Sequence, residues 1–306
     1  MKTNLIIGSR SSQLALIQAE FIAAKIKEVH PQLNVNITRI TTHGDRDRWT
    51  HFDRMTGVGI FVKELEETLL DGRIDLAVHS LKDVPTEIPR GLALVVTTER
   101  LDPRDVLVSK GKKLADFPPG AKIGTGSLRR AAQIYDYRSD LEICQIRGNI
   151  DTRLGKVSGG EIDGLISAAA AMTRLGWEDK ITEYLPTEHF VPAVGQGALA
   201  IETRADDEIT GLLSPINHLP TWQEITAERA FLIALGGGCR SPIAALGTVN
   251  GETLKLAGMA SDTSGQKIIR ASGEGSTLTA DDIGRQLAEK MLEMGAAKFF
   301  DETETK

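Results

Sequence analysis

Lys122-Ile123-Gly124-Thr125-Gly126-Ser127, running at once into a helical stretch from Leu128, decides the fold, because the chain opens with a similar arrangement. There, Leu5-Ile6-Ile7 reads as a strand and Gly8-Ser9-Arg10-Ser11-Ser12 as a tight turn. Leu14, Ile17, Phe21 and Ala24 then recur at helical spacing. Val35 to Ile40 alternates like a half-buried strand. Phe61 to Leu70 reads as a helix stopped by Asp71-Gly72, and Ile74 to Val78 as a strand. Further on, Gly160-Glu161-Ile162-Asp163-Gly164-Leu165-Ile166-Ser167 echoes Gly72-Arg73-Ile74-Asp75-Leu76-Ala77-Val78-His79. Strands alternating with helices imply α/β architecture with largely parallel sheets. Two related, doubly wound lobes are expected, meeting near Thr98 to Asp105, with a ligand cleft at the strand ends.

The tail reads differently. Thr221-Trp222-Gln223-Glu224 has the form of a capping box opening a helix through Leu235, which Gly236-Gly237-Gly238 ends. Asn250-Gly251 marks a hairpin between Leu246–Val249 and Thr253–Leu256. A last helix carries Ile283, Leu287, Met291 and Met294 on one face, so a small α+β C-terminal domain follows the lobes. At 306 residues the chain has room for two or three domains. Its 36 Lys and Arg against 42 Asp and Glu give a net charge of −6, which argues against nucleic-acid binding. Two cysteines, Cys144 and Cys239, are too few for a disulfide framework. With no secretory or membrane-spanning run, a cytoplasmic protein is the expectation.

Arginines gather beside the tight turns. Arg10 lies in the first; Arg129 and Arg130 follow the second; Arg147 precedes Gly148, and Arg153 and Arg174 come after. Backbone N–H groups at a helix start, hydroxyls and guanidinium forks together suit carboxylate or phosphate, so a polyanionic ligand is expected despite the acidic protein. Gly124-Thr125-Gly126 lacks the third glycine of a dinucleotide fingerprint, where Arg129 stands, and a Walker lysine, which weakens any nucleotide reading. His79-Ser80-Leu81-Lys82-Asp83-Val84-Pro85 places polar groups at the end of a buried strand, where Ser80, Lys82 and Asp83 would face the ligand. His79 reads as structural, since the six histidines show no metal-ligand spacing. Cys239, in Gly236-Gly237-Gly238-Cys239-Arg240-Ser241, is an accessible thiol beside a cation, suited to covalent attachment or to packing. Cys144 reads as inert core.

Taken end to end, the chain resembles the porphobilinogen deaminase (hydroxymethylbilane synthase) family. The motifs that carry this are Gly8 to Leu16, Phe61 to Leu65, Ala77 to Pro85, Asp102-Pro103-Arg104-Asp105, Ser127-Leu128-Arg129-Arg130, Ile146 to Leu154, Pro192 to Ala198, Ala227 to Ala230 and the cysteine loop. The resemblance implies stepwise condensation of four porphobilinogen molecules into linear 1-hydroxymethylbilane, with release of ammonia, in heme and porphyrin biosynthesis. It implies a dipyrromethane cofactor joined to Cys239 by a thioether, two lobes like solute-binding proteins, and a small domain bearing the cysteine. The expected domains are 1–98 with 198–216, 103–192, and 220–306.

By the same resemblance, Ser80, Lys82, Asp83, Thr125, Ser127, Arg129, Arg130, Arg147 and Arg153 hold the cofactor, and Arg10, Ser12, Gln18, Phe61, Arg174 and Gln196 serve the substrate. Asp83 is the implied catalytic group: a carboxylate that takes pyrrole N–H bonds, stabilises developing positive charge and handles protons. The expected protein is a monomer acting on a small molecule, with no metal, nucleic acid or membrane. Three positions depart from the usual family pattern: Val58 where lysine is common, Gly126 in place of a frequent serine, and Arg240-Ser241 after the cysteine. The competing readings are a two-lobed binding protein for a polycarboxylate and, more remotely, a nucleotide-dependent enzyme.

Overall fold

The computed structural model describes residues 2–41, 62–205, 208–237, 241–262 and 264–300. Val58, Phe61, Cys239 and Arg240 lie outside them. Two compact units result, one of residues 1–100 and 198–222, the other of residues 101–197 and 223–306.

The first unit holds a five-stranded sheet of β1 (Asn4–Arg10), β2 (Asn34–Ile40), β3 (Leu76–Ser80), β4 (Leu92–Thr97) and β10 (Leu199–Arg204). Their order is β2-β1-β3-β10-β4. β1 runs parallel to β2 and β3, and β10 antiparallel to β3 and β4. The second unit repeats the plan with β5 (Asp105–Ser109), β6 (Lys122–Thr125), β7 (Glu142–Gln145), β8 (Gly164–Ala168) and β9 (Glu183–Tyr184), ordered β7-β6-β8-β5-β9. Again the first three are parallel and the inserted strand, here β5, is antiparallel.

The repeat extends to single atoms. In the first unit Ile6 N–H donates to the Asp75 carboxylate, and Asp75 N–H returns to Ile6 O, both at 2.8 Å. In the second, Lys122 N–H and Asp163 make the same two bonds, also at 2.8 Å. A carboxylate thus pins each entering strand to its first neighbour. Gly8-Ser9-Arg10, expected as part of a tight turn, instead completes β1, and Gly124 lies inside β6; a side chain at Gly8 or Gly124 would strike Ile74 or Ile162, which explains glycine at both strand positions.

Helix Gln13–Val29 buries Ala15, Ala19, Ile22, Ala23 and Ile26 against the first sheet, while Phe21 stays 45% exposed. The buried stripe is therefore displaced about one residue round from Leu14, Ile17, Phe21 and Ala24. Small alanines let the helix approach the sheet closely, and the bulkier residues remain at its margins. Helix Lys63–Leu70 begins after Val62, and β3 begins at Leu76, two residues later than the sequence suggests, because Ile74 and Asp75 serve the turn.

The tail forms an antiparallel sheet of β11 (Ile243–Asn250), β12 (Thr253–Ser261) and β13 (Ile268–Ser276), covered by helix Ala280–Glu293. The hairpin turns on Gly251 and Glu252, with Asn250 already paired to Thr253. Ile283, Leu287 and Met291 are buried; Met294, past the helix end, is not. The expected capping box at Thr221 is replaced. Helix Leu219–Ala234 starts two residues earlier, His218 takes the Thr221 N–H on its Nδ1, and the Thr221 hydroxyl instead accepts Arg100 N–H.

Gly284 lies mid-helix, where alanine normally gains about 1 kcal/mol. Here a methyl would land on the Ala227 carbonyl oxygen and within 2.8 Å of the Phe231 nitrogen. Backbone cannot yield as a side chain can, so Gly284→Ala is expected to destabilise by about 2–3 kcal/mol, read from the urea midpoint.

Candidate active site

In the first unit, the turn after β1 and the turn after β3 meet at one cleft whose lining includes Arg10, Ser12, Gln18, His79, Ser80 and Asp83. β3 ends at Ser80 and passes into a short 3-10 turn, Leu81–Asp83. Leu81 N–H donates to Ala198 O at 3.1 Å and Val84 N–H to Leu81 O at 3.0 Å, so the turn is fixed at both ends. Asp83 is exposed and Lys82 half-buried. Gln18 is buried and donates from Nε2 to Ser80 Oγ at 2.8 Å. Ser12 caps its helix by accepting Ala15 N–H.

The second unit has a matching turn. Thr125 Oγ1 accepts Ser127 N–H at 3.2 Å, and Ser127 Oγ accepts Arg130 N–H at 3.4 Å. In Ser12, Ser80, Thr125 and Ser127 alike, an oxygen lone pair takes a protein N–H. Each hydroxyl keeps its proton to donate, the polarity a carboxylate needs.

Arg129 and Arg130 are turned inward, 4% and 8% exposed, onto the buried carboxylate of Asp105. Arg129 Nη1 donates to Asp105 Oδ2 and to Val191 O, both at 2.7 Å. Arg130 reaches Asp105 Oδ1 from Nε at 3.0 Å and from Nη2 at 2.7 Å, and Ile166 O from Nη1 at 3.1 Å. Gln196, also buried, gives Nε2 to Asp105 Oδ1 at 2.9 Å and to Pro103 O at 2.6 Å. Burial alone would push the Asp105 carboxyl up; the two guanidiniums overcome it and hold the group well below the usual carboxylate range. Two cations around one anion leave a surplus positive charge. Consistently, Arg129 is lowered by burial and by Arg130, against the pull of Asp105.

Arg174 ends helix Ala169–Arg174 and donates from Nη2 to the Gly197 carbonyl at 2.8 Å. Burial pushes its guanidinium down to about 10, and no carboxylate among the described residues offsets it. Such a desolvated cation suits an incoming anion. Arg147 follows β7, and Arg153 lies on helix Ile150–Ser158, donating from Nε to Gly148 O at 2.8 Å. At Gly126, a side chain would lie 2.8 Å from the Ile146 carbonyl oxygen, just before Arg147.

Cys144 is half-buried on β7, an edge strand, rather than fully in the core; burial and Glu142 push its thiol up, away from the reactive thiolate. The sequence reading gave no role to Asp105, Glu66 or Glu202. Asp105 had a signal, an acid opening a buried strand in a chain rich in turn arginines. Glu66 had none, since it stands among Glu64 and Glu67 like part of a solvated face.

Comparison with known proteins agrees with this layout. The family model "Porphobilinogen deaminase, dipyromethane cofactor binding domain" matches residues 5–211, and "Porphobilinogen deaminase, C-terminal domain" matches 222–293. The chain is 47% identical over 292 residues to the porphobilinogen deaminase of Geotalea uraniireducens, covering 95% of this chain and 92% of that one. It is 46% identical over 301 residues to that of Alkaliphilus metalliredigens, covering 98% and 95%. Among solved structures it is similar to a putative methionine-binding lipoprotein of Bacillus subtilis, with TM-score 0.45 and 13% identity over 71% of this chain and 90% of that one. It is also similar to the periplasmic aliphatic sulphonate binding protein of Escherichia coli, with TM-score 0.40 and 12% identity over 76% and 71%. The chain belongs to the porphobilinogen deaminase family. It is a transferase, a hydroxymethylbilane synthase of tetrapyrrole biosynthesis, with a dipyrromethane cofactor domain. No described helix is long and apolar enough to cross a membrane.

Replacing Asp105 by Asn leaves two buried guanidiniums without their counter-charge. Asp105→Asn is expected to cost about 3–5 kcal/mol of stability by urea denaturation. Because the folded pKa is depressed, the Asp105 contribution is fully present above the unfolded value, about 4, and is lost only as pH falls toward the folded one. The deficit of the variant should therefore be constant from about pH 5 to 8.

Proposed function

We propose that the cleft of the first unit takes porphobilinogen and that Asp83 is the catalytic carboxylate. The observation that carries this is its placement: Asp83 shares one lining with a guanidinium, two hydroxyls and a carboxamide, Arg10, Ser12, Ser80 and Gln18. Porphobilinogen brings an acetate and a propionate, which suit Arg10, the hydroxyl proton of Ser12 and the Gln18 carboxamide. Arg174, Phe61 and Gln196 complete the substrate assignment, with Gln196 acting through its hold on Asp105.

When bound, the dipyrromethane supplies the primer whose terminal pyrrole carbon is the nucleophile. Ser80, Lys82, Thr125, Ser127, Arg129, Arg130, Arg147 and Arg153 would hold its carboxylates, with Cys239 its covalent anchor. The donor chemistry fits: hydroxyls with occupied acceptors, and a guanidinium pair with one positive charge in excess. Asp83 accepts pyrrole N–H bonds. As ammonia leaves the incoming ring, positive charge grows on its methylene, and the Asp83 carboxylate opposite stabilises it. The same carboxylate takes up the proton lost from the attacking carbon.

The working domains on this reading are residues 1–98 with 198–216, residues 103–192, and residues 220–306. The protein acts as a cytoplasmic monomer. The compact unit of residues 1–100 and 198–222 supports the first of these domains.

Protein made in a host that synthesises porphobilinogen should carry a two-pyrrole adduct on Cys239 by intact-mass and peptide mass spectrometry; a bare chain refutes the anchor. Asp83→Ala should retain the wild-type melting temperature and lose ammonia release by roughly a hundredfold or more. Near-normal turnover would remove the role from Asp83.

A further inference from the structure

Beneath the floor of the Asp83 cleft lies a buried set of titratable side chains that the chemistry above does not use. His79, from β3, lines the cleft and bonds through Nε2 to Glu202 Oε2 of β10 at 2.9 Å. The two side chains are 3% and 1% exposed. Among the described residues, Glu202 Oε1 is buried with no hydrogen-bond partner. Glu66 is 8% exposed on helix Lys63–Leu70, which packs against β3 and β10, the strands that carry His79 and Glu202, and its carboxyl feels the charge of both.

That helix packs on β1, β3, β4 and β10. The charged or titratable groups these strands bring are Arg10 on β1, His79 on β3, and Glu202 and Arg204 on β10; β4 brings none. Arg204 is engaged by the carbonyls of Leu69 and Ile74 and lies 3.6 Å from Asp75. On its own helix Glu66 has Glu64 and Glu67 beside it. Acidic groups dominate this surround, and the favourable partner, His79, is already bonded to Glu202.

We propose that Glu66 is a positioning residue acting through His79: it holds a proton in the buried cluster under the cleft floor, and the cleft accepts a pyrrole dicarboxylate readily only while that proton is in place. Losing it adds a full negative charge to the buried cluster behind the cleft-lining His79, which disfavours an anionic substrate. Burial first, then Glu202 and Glu67, raise the Glu66 carboxyl to about 7, against the lowering by His79. A raised folded pKa means that Glu66 contributes stability fully present below its ordinary value, 4.5, and lost as pH rises through about 7. Binding should fall over the same upper range.

This inference rests on the reading that the cleft binds porphobilinogen. Its test is the pH profile of the cofactor-loaded enzyme between about pH 6 and 8.5, compared with a variant, since histidines and the α-amino group, which also titrate there, are common to both. In the wild type, KM for porphobilinogen should climb roughly fivefold across that range while kcat changes much less. In Glu66→Gln, which copies the protonated carboxyl, the climb should flatten, and the fall in melting temperature between about pH 5 and 7 should disappear. Parallel KM profiles for wild type and variant overturn the inference. If the variant does not fold, the wild type decides alone, since a level KM overturns it equally. Absence of ammonia release from the wild type overturns the underlying reading, and the inference with it; ammonia release with parallel profiles overturns the inference alone.

Discussion

Two guanidiniums side by side in a dry interior repel each other, and the carboxylate of Asp105 makes the arrangement tolerable. Around it the second unit organises its working end. Arg129 and Arg130 are fixed from the helix start, Val191 and Ile166 are held through their carbonyls, and Gln196 ties the returning chain to the same oxygen. Desolvation of the ions is costly, so the cluster is better understood as orienting than as stabilising. One carboxylate between two cations also leaves the region positive, which an enzyme for polycarboxylates can use.

The two units share a plan down to the carboxylate that pins the first strand, Asp75 in one and Asp163 in the other. Their working turns differ. Counted from Gly8 and Gly124, the second unit has Gly126 at the position of Arg10; counted from the capping serine, Ala15 in one is Arg130 in the other. One framework thus carries two unlike sets of donors. The first set stands beside an exposed carboxylate and the second beside a buried cation cluster.

Much of this was legible in the sequence. Paired glycine turns, echoed strands and the Gly-ended helix all leave local signals, because each depends on backbone conformation or on period. The stripe of helix Gln13–Val29 was misread, since a helix apolar on several sides does not declare which side is buried, and small alanines won the close contact. The cap at His218 was missed because a histidine ring nitrogen in that role has no sequence pattern. Asp83, Arg10, Ser80 and Gln18 could be picked out from strand-end position and family resemblance. Glu66 and Glu202 could not, because a buried acid pair is created by packing between distant segments, residues 63–70 and 199–204. Cys239 lies outside the described residues, so its role rests on chemistry and kinship.

Position 126 is where the second working turn tolerates least. A Cβ there would lie 2.8 Å from the Ile146 carbonyl oxygen, just before Arg147. That oxygen belongs to the backbone and cannot swing aside, so any larger residue has to push the exit of β7 away and carry Arg147 with it. The spacing of this arginine from the serine turn is thereby set by the absence of a single methyl group.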